Sequence, residues 1–228
     1  MRAAIIVALL AASLPVAASG QDWNVAQMLA MRGSPAGLAP LPAAAEEFSP
    51  PTRFEVAALH DFATCIVERD RGEAERILTS DFREEDYADA IRRLAANRPR
   101  CLGPGGGLLR MSGIVFAGGL AEALLRKDLT EAQLAASLRA PEQALQARND
   151  VEYTALCMVL AQPAQTSALL YTDATAREAD AKLVEYANAL PGCVRPDQQF
   201  RINKLGLRAL AALAAYRITV RNRTGGKI

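Results

Sequence analysis

The stretch 65–104, CIVERDRGEAERILTSDFREEDYADAIRRLAANRPRCLGP, and the stretch 157–196, CMVLAQPAQTSALLYTDATAREADAKLVEYANALPGCVRP, decide how this chain reads. Laid over one another at an offset of 92 residues they superpose both cysteines, Cys65 on Cys157 and Cys101 on Cys193, each pair 36 residues apart. Val67, Leu78, Asp81, Ala95, Pro99 and Pro104 meet Val159, Leu170, Asp173, Ala187, Pro191 and Pro196, which makes eight identities in 40 positions. So few identities carry little alone. The matched cysteines and prolines make an internal duplication the expected organisation.

Working outward from Cys65, the residues Phe54, Ala58, Phe62, Cys65, Ile66 and Arg69 recur at steps of three and four, which predicts a helix with Cys65 on its apolar stripe. A short helical piece over 73–78 follows. Asp81 and Glu84 stand at capping-box spacing and predict a helix through Tyr87, Ile91 and Leu94 that stops at Pro99. Cys101 then falls in a turn, and 108–125 is expected to form a closing helix. The second copy begins at Pro141, acceptable at a first helical position because its missing amide would lack a partner anyway. That helix continues through Leu145, Val151, Leu156, Cys157 and Leu160. Thr175 with Glu178 is a second capping pair before Leu183 and Tyr186, Pro191 ends the helix, and 200–216 closes the unit. Thr130 with Gln133 caps a short connecting helix through Leu138. Gly113, Gly118 and Gly119 are expected to admit a neighbouring helix closely, at about 1 kcal/mol each of helix propensity.

Upstream, Met1-Arg2 is a positive start, residues 3–17 are almost unbroken apolar, and Val16-Ala17-Ala18-Ser19-Gly20 offers small residues for cleavage, the pattern of a signal peptide over 1–20. The run of about 15 residues is short of the roughly 20 that cross a bilayer. No transmembrane segment is expected after its removal, since 108–125 carries Arg110 and Glu122. Residues 21–52 hold Trp23 and Met31, then Pro35, Pro40, Pro42, Pro50 and Pro51 among alanines, and read as a flexible linker. The remaining boundaries are 53–127 for the first helical repeat, 128–140 for the connecting helix, 141–218 for the second repeat and 219–228 for a basic tail. The expected fold class is all-α, two tandem disulfide-tied helical units in a periplasmic or secreted protein.

In an exported chain an even number of cysteines is first a disulfide framework. Four cysteines allow three pairings. The repeat selects Cys65–Cys101 with Cys157–Cys193, because only a bond internal to each copy survives duplication without rewiring. A thiol oxidoreductase wants Cys-x-x-Cys, which does not occur in the sequence. Zinc wants clustered thiolates and imidazoles, and the chain has one histidine. No metal or cofactor is expected.

Aromatic residues make up 5% of the 228, too few to fill the pleated faces of a β-sandwich, while 51% are apolar. The net charge of +1 falls to zero once Arg2 leaves with the leader, which speaks against a uniformly basic nucleic-acid surface. Candidates for chemistry each have a plainer account. His60 is five residues from Cys65, about 140° round a helix, so a nucleophile pair is disfavoured and a structural histidine expected. Glu84, Glu85 and Asp86 suit a solvated first turn better than an acid–base pair. Gly103 to Gly107 lacks the Lys and Ser or Thr of a phosphate loop.

Charge is distributed unevenly. Residues 68–89 hold nine acids against four arginines, whereas 198–228 hold seven basic residues and no acid. One account has the two poles complementing each other within the fold. The other makes Arg201, Lys204, Arg208, Arg217, Arg221 and Arg223 a surface for an anionic partner such as lipid headgroups or an acidic polymer.

The stretch from Cys65-Ile66-Val67 through Ile77-Leu78-Thr79 and Cys101-Leu102 to Gly119-Leu120-Ala121-Glu122-Ala123-Leu124-Leu125 resembles a recurring segment of uncharacterised exported alphaproteobacterial proteins. The resemblance covers about 60 residues and brings no activity and no catalytic residues with it. The second copy departs from it, with Ala211-Ala212-Leu213-Ala214-Ala215-Tyr216 in place of the closing motif. The function expected is a non-catalytic helical binding or scaffolding module of the cell envelope, its partner an envelope protein or anionic surface. The opposing class is a small periplasmic hydrolase built from dispersed carboxylates.

Overall fold

The computed structural model describes residues 51–102, 111–139, 145–195, 200 and 202–225. The expected leader, the linker as far as Pro50, Gly103 to Gly107, Pro141, Arg201 and Lys227 lie outside them. Among the described residues every regular element is helical: α1 (Arg53–Thr79), α2 (Tyr87–Ala96), a 3-10 turn (Pro99–Leu102), α3 (Gly113–Asp128), α4 (Glu131–Arg139), α5 (Asp150–Ala161), α6 (Pro163–Tyr171), α7 (Arg177–Ala187), α8 (Leu190–Cys193) and α9 (Lys204–Thr224). None of them is long and apolar enough to cross a membrane.

α3 and α9 form the centre because both are apolar on nearly every side and have no wet face to offer. α3 buries Val115 through Glu122 with Leu124 and Leu125, and α9 buries Gly206 through Ala212 with Ala214, Ala215, Tyr216, Ile218 and Thr219. They meet at Gly118. A Cβ added there would lie 2.4 Å from the Cβ and 2.5 Å from the Cα of Ala209, so only glycine permits the approach. Gly119 faces α1 less tightly, 3.2 Å from the Ala63 Cβ on the same construction, and Gly113 has ordinary room. α1 lies on α3 through Leu59, Ala63 and Phe62, whose ring is 5.6 Å from that of Phe116. Phe54, expected at the head of this stripe, is 81% exposed, and the buried stripe begins at Leu59. α5 packs on α9, and α6 bridges α4 and α7.

The disulfides pair as the spacing predicts. Cys65 of α1 joins Cys101 of the 3-10 turn, and Cys157 of α5 joins Cys193 of α8, both with Cα atoms 5.6 Å apart. On the chain-entropy account a loop of this length contributes about 4 kcal/mol. Each long helical run is interrupted soon after its cysteine. α1 leaves helical geometry at Asp70 (φ −137°, ψ 43°), and α5 gives way to α6 at Gln162 (φ −136°, ψ 61°), ahead of Pro163.

Helix starts show where local chemistry overrode spacing. Thr130 and Gln133 cap α4 reciprocally as expected, at 2.8 and 3.3 Å. Asp81 with Glu84 and Thr175 with Glu178 do not cap. The Asp81 carboxylate accepts from the Arg83 amide at 2.9 Å and the Asp173 carboxylate from the Thr175 amide at 2.8 Å, so α2 and α7 start later, without a side-chain cap. A short aspartate side chain reaches the amide two residues on as readily as the third, and that turn competes with the cap. The helix expected to run on from Pro141 opens instead at Asp150, because the Asn149 side chain accepts from the Glu152 amide at 2.8 Å and fixes the boundary there, leaving Leu145 outside it. α9 runs to Thr224, so the first part of the expected basic tail is helical, with Thr219 buried. Gly225 ends it with φ +59°, a left-handed position suited to glycine.

Candidate functional site

α9 carries arginines into two polar clusters. In the first, Glu122 of α3 and Arg208 are 2% and 5% exposed. Arg208 Nε and Nη2 donate to the two carboxylate oxygens of Glu122 at 2.9 and 2.7 Å, a bidentate fork, and Nη2 also donates to the Thr172 carbonyl at 2.8 Å. Arg126, one turn along α3, stands 2.9 Å from Glu122 Oε1 and donates to the carbonyls of Leu170 and Thr172 at 2.6 and 2.8 Å. His60 of α1 places Nδ1 3.7 Å from the same carboxylate oxygen. Burial holds the His60 pKa below its ordinary value against the opposing pull of Glu122, so the ring is neutral at pH 7. His60 is thus set into an ion-pair network with Glu122.

In the second cluster Glu152 of α5 is buried and pairs with Arg217 of α9, and its other oxygen accepts from the Arg148 amide at 2.6 Å. The Arg148 side chain donates to the Ser80 carbonyl at 3.0 Å and lies 3.9 Å from Asp81. Asp81 is held mainly by Arg83, whose hydrogen bonds bring the Asp81 carboxyl down to about 2. Arg148, Arg217 and Arg221 converge on a half-open pocket of about 30 Å³, with Leu145, Tyr216 and Val220 in its walls. Burial pushes the Arg217 guanidinium down to about 10, and the nearby Arg148 and Arg221 add to this. The side chains of Arg148 and Arg217 are 16% and 17% exposed there. A second, wider depression beside Cys101 holds Arg69, Arg98 and Arg100, with Arg98 tied to Asp70.

The six basic residues expected to form one surface are dispersed. Arg208 is corrected outright: it lies in the core because Glu122 neutralises it there. Lys204 pairs with Asp180 and Arg223 with Asp128, each at 2.9 Å, while Arg201 lies outside the described residues. Arg217 and Arg221, one turn apart on α9, are brought together, and Arg148 joins them from the segment ahead of α5. Nothing in the sequence pointed to Arg148. Lys204, Arg208, Arg217 and Arg223 pair within the fold with Asp180, Glu122, Glu152 and Asp128, carboxylates that lie outside the acidic stretch 68–89 expected to complement them.

Carboxylates of the kind a dispersed hydrolytic site would recruit are drawn into pairs. Arg71 beside Asp128 and Arg98 beside Asp70 hold these carboxyls below the usual range, the opposite of the upward shift a general acid needs. Glu84, Glu85 and Asp86 are exposed in the turn ahead of α2. Among the described residues no set of His, Cys, Asp and Glu gathers as metal ligands would. The chain matches no family model, no curated protein and no solved structure, so its reading rests on the geometry of these two clusters.

Proposed function

We propose that the chain is an exported, non-catalytic binding module of the cell envelope, built from two copies of one disulfide-tied helical unit, that engages anionic phospholipid headgroups. The observation that carries this reading is the convergence of Arg148, Arg217 and Arg221, from two elements, on one half-open pocket. Several features support the duplication: equal cysteine spacing, the breaks at Asp70 and Gln162, and the aspartate turns at Asp81 and Asp173. Each break and each turn recurs at the offset of 92 residues that superposes the cysteines. Export agrees with two intact disulfides, which persist in oxidising compartments. Positive charge attracts anionic lipid by about 1 kcal/mol per Lys or Arg near the surface, screened by salt.

Co-sedimentation of oxidised protein lacking residues 1–20 with phosphatidylglycerol-containing vesicles tests the reading. Binding at low salt that weakens severalfold at physiological ionic strength, and in Arg221→Glu, is the expected result. Equal sedimentation with purely zwitterionic vesicles, or none with either, overturns it.

A further inference from the structure

We propose that the depression beside the first disulfide, lined by Arg69 of α1 and Arg100 of the 3-10 turn, is a binding site for a small organic dianion, a molecule with two carboxylate or phosphate groups on a short spacer. The site is separate from the pocket at Arg148 and does not depend on lipid binding. Two tethers brace it. The disulfide from Cys65 to Cys101 and the ion pair from Asp70 to Arg98 both cross from α1 to the segment 98–101. In sequence Arg69 falls between the two anchor points on α1, and Arg100 between the two on the opposite segment. The backbone that carries each guanidinium is therefore held before a ligand arrives, which lowers the ordering cost of binding.

The charges in the depression divide into one pair already engaged and two forks left open. Arg98 donates from Nε and Nη2 to Asp70, and from Nη1 to the Asn97 carbonyl at 2.9 Å. Arg69 and Arg100 are exposed, and among the described residues neither donates a hydrogen bond or pairs with a carboxylate; Arg69 acts on Asp70 only through space. Each guanidinium offers a planar pair of donors that matches a carboxylate or a phosphate, and a concave wall of one sign focuses its field on an anion. A volume of about 540 Å³ suits an organic molecule rather than a lone ion, since small-molecule sites run from roughly 300 to 1,000 Å³. The second disulfide shows that such a tie needs no arginines. At the offset of 92 residues Arg69, Asp70, Arg98 and Arg100 meet Ala161, Gln162, Leu190 and Gly192, and Cys157 still joins Cys193. The charges around Cys101 are thus additions to a scaffold that holds without them.

The test is titration of the oxidised protein at constant ionic strength, following backbone amide and arginine Nε–H resonances. The probes are dicarboxylates from malonate to adipate and 3-phosphoglycerate, with acetate as the single-group control. Saturable shifts at Arg69 and Arg100 are expected with at least one of the two-group probes, at an affinity at least tenfold above that of acetate. Arg69→Ala and Arg100→Ala, both at exposed positions, are each expected to bring that affinity down to the level of acetate, and Arg93→Ala on the exposed face of α2 to leave it unchanged. No saturation by any probe, two-group probes no tighter than acetate, or full affinity in either alanine variant at positions 69 and 100 overturns the site. Crossed variants keep the two binding readings apart. Arg221→Glu should leave the dianion affinity intact, and Arg69→Ala should leave vesicle sedimentation intact, so either reading can fail while the other stands.

Discussion

The cluster around Glu122 and the cluster around Glu152 use the same groups with different access to solvent. Both set a buried carboxylate against an arginine of α9, and both direct an arginine to the backbone carbonyl just past a helix end, Thr172 in one and Ser80 in the other. Around Glu122 the carboxylate is enclosed: Arg208 is forked onto it, and Arg126 and His60 stand beside it. Around Glu152 the carboxylate takes one ion pair, from Arg217, and one amide hydrogen bond, from Arg148, and a small pocket opens beside them. A buried ion pair stabilises little beyond well-packed apolar residues, but losing one partner is severe. The first cluster is therefore a closed joint between α3 and α9, and the second a joint between α5 and α9 that is partly open at a small pocket.

That contrast can be broken or sharpened by substitution. Glu122→Gln has the largest expected effect, about 3–5 kcal/mol in urea denaturation, because it leaves the buried Arg208 guanidinium without its counter-charge. Glu152→Gln is expected to cost about 1–3 kcal/mol, less because the pocket admits solvent to Arg217. If it costs as much as Glu122→Gln, the two clusters are alike and the contrast fails. The smallest effect concerns acid. Asp81 has a folded pKa of about 2, below its ordinary 3.8, so its contribution is present above about pH 4 and is lost as pH falls towards 2. Being partly solvated, it is worth under about 1 kcal/mol. Melting curves of the wild type and Asp81→Asn should differ at pH 5 and converge near pH 2.

Local patterns were legible in the sequence and long-range charge pairing was not. The cysteine spacing predicted both disulfides, Thr130 with Gln133 predicted a cap, and Gly118 was expected at a close helix approach; each depends on neighbours or on the repeat. The bond from Arg208 to Glu122 spans 86 residues and joins two helices that read as apolar, so no periodicity announces it. Arg148 is equally hidden, since its place is set by Asn149 opening α5 at Asp150 rather than near Pro141. The capping pairs at Asp81 and Thr175 misled because a spacing of three says nothing about the rival turn two residues away. A signal was available at Glu122: a carboxylate amid ten apolar or small neighbours on a helix needs a buried cation, and α9 is the apolar helix that carries arginines.

The contact between Gly118 and Ala209 constrains how this fold can vary. A methyl group at position 118 would strike the α-carbon of residue 209 as well as its side chain, so trimming Ala209 to glycine offers no suppressor. The two central helices would have to move apart, and the ion pair from Arg208 to Glu122 would stretch with them. Alleles at Gly118 should then behave in genetic crosses like alleles at Glu122, with rescue arising from positions that shift a whole helix.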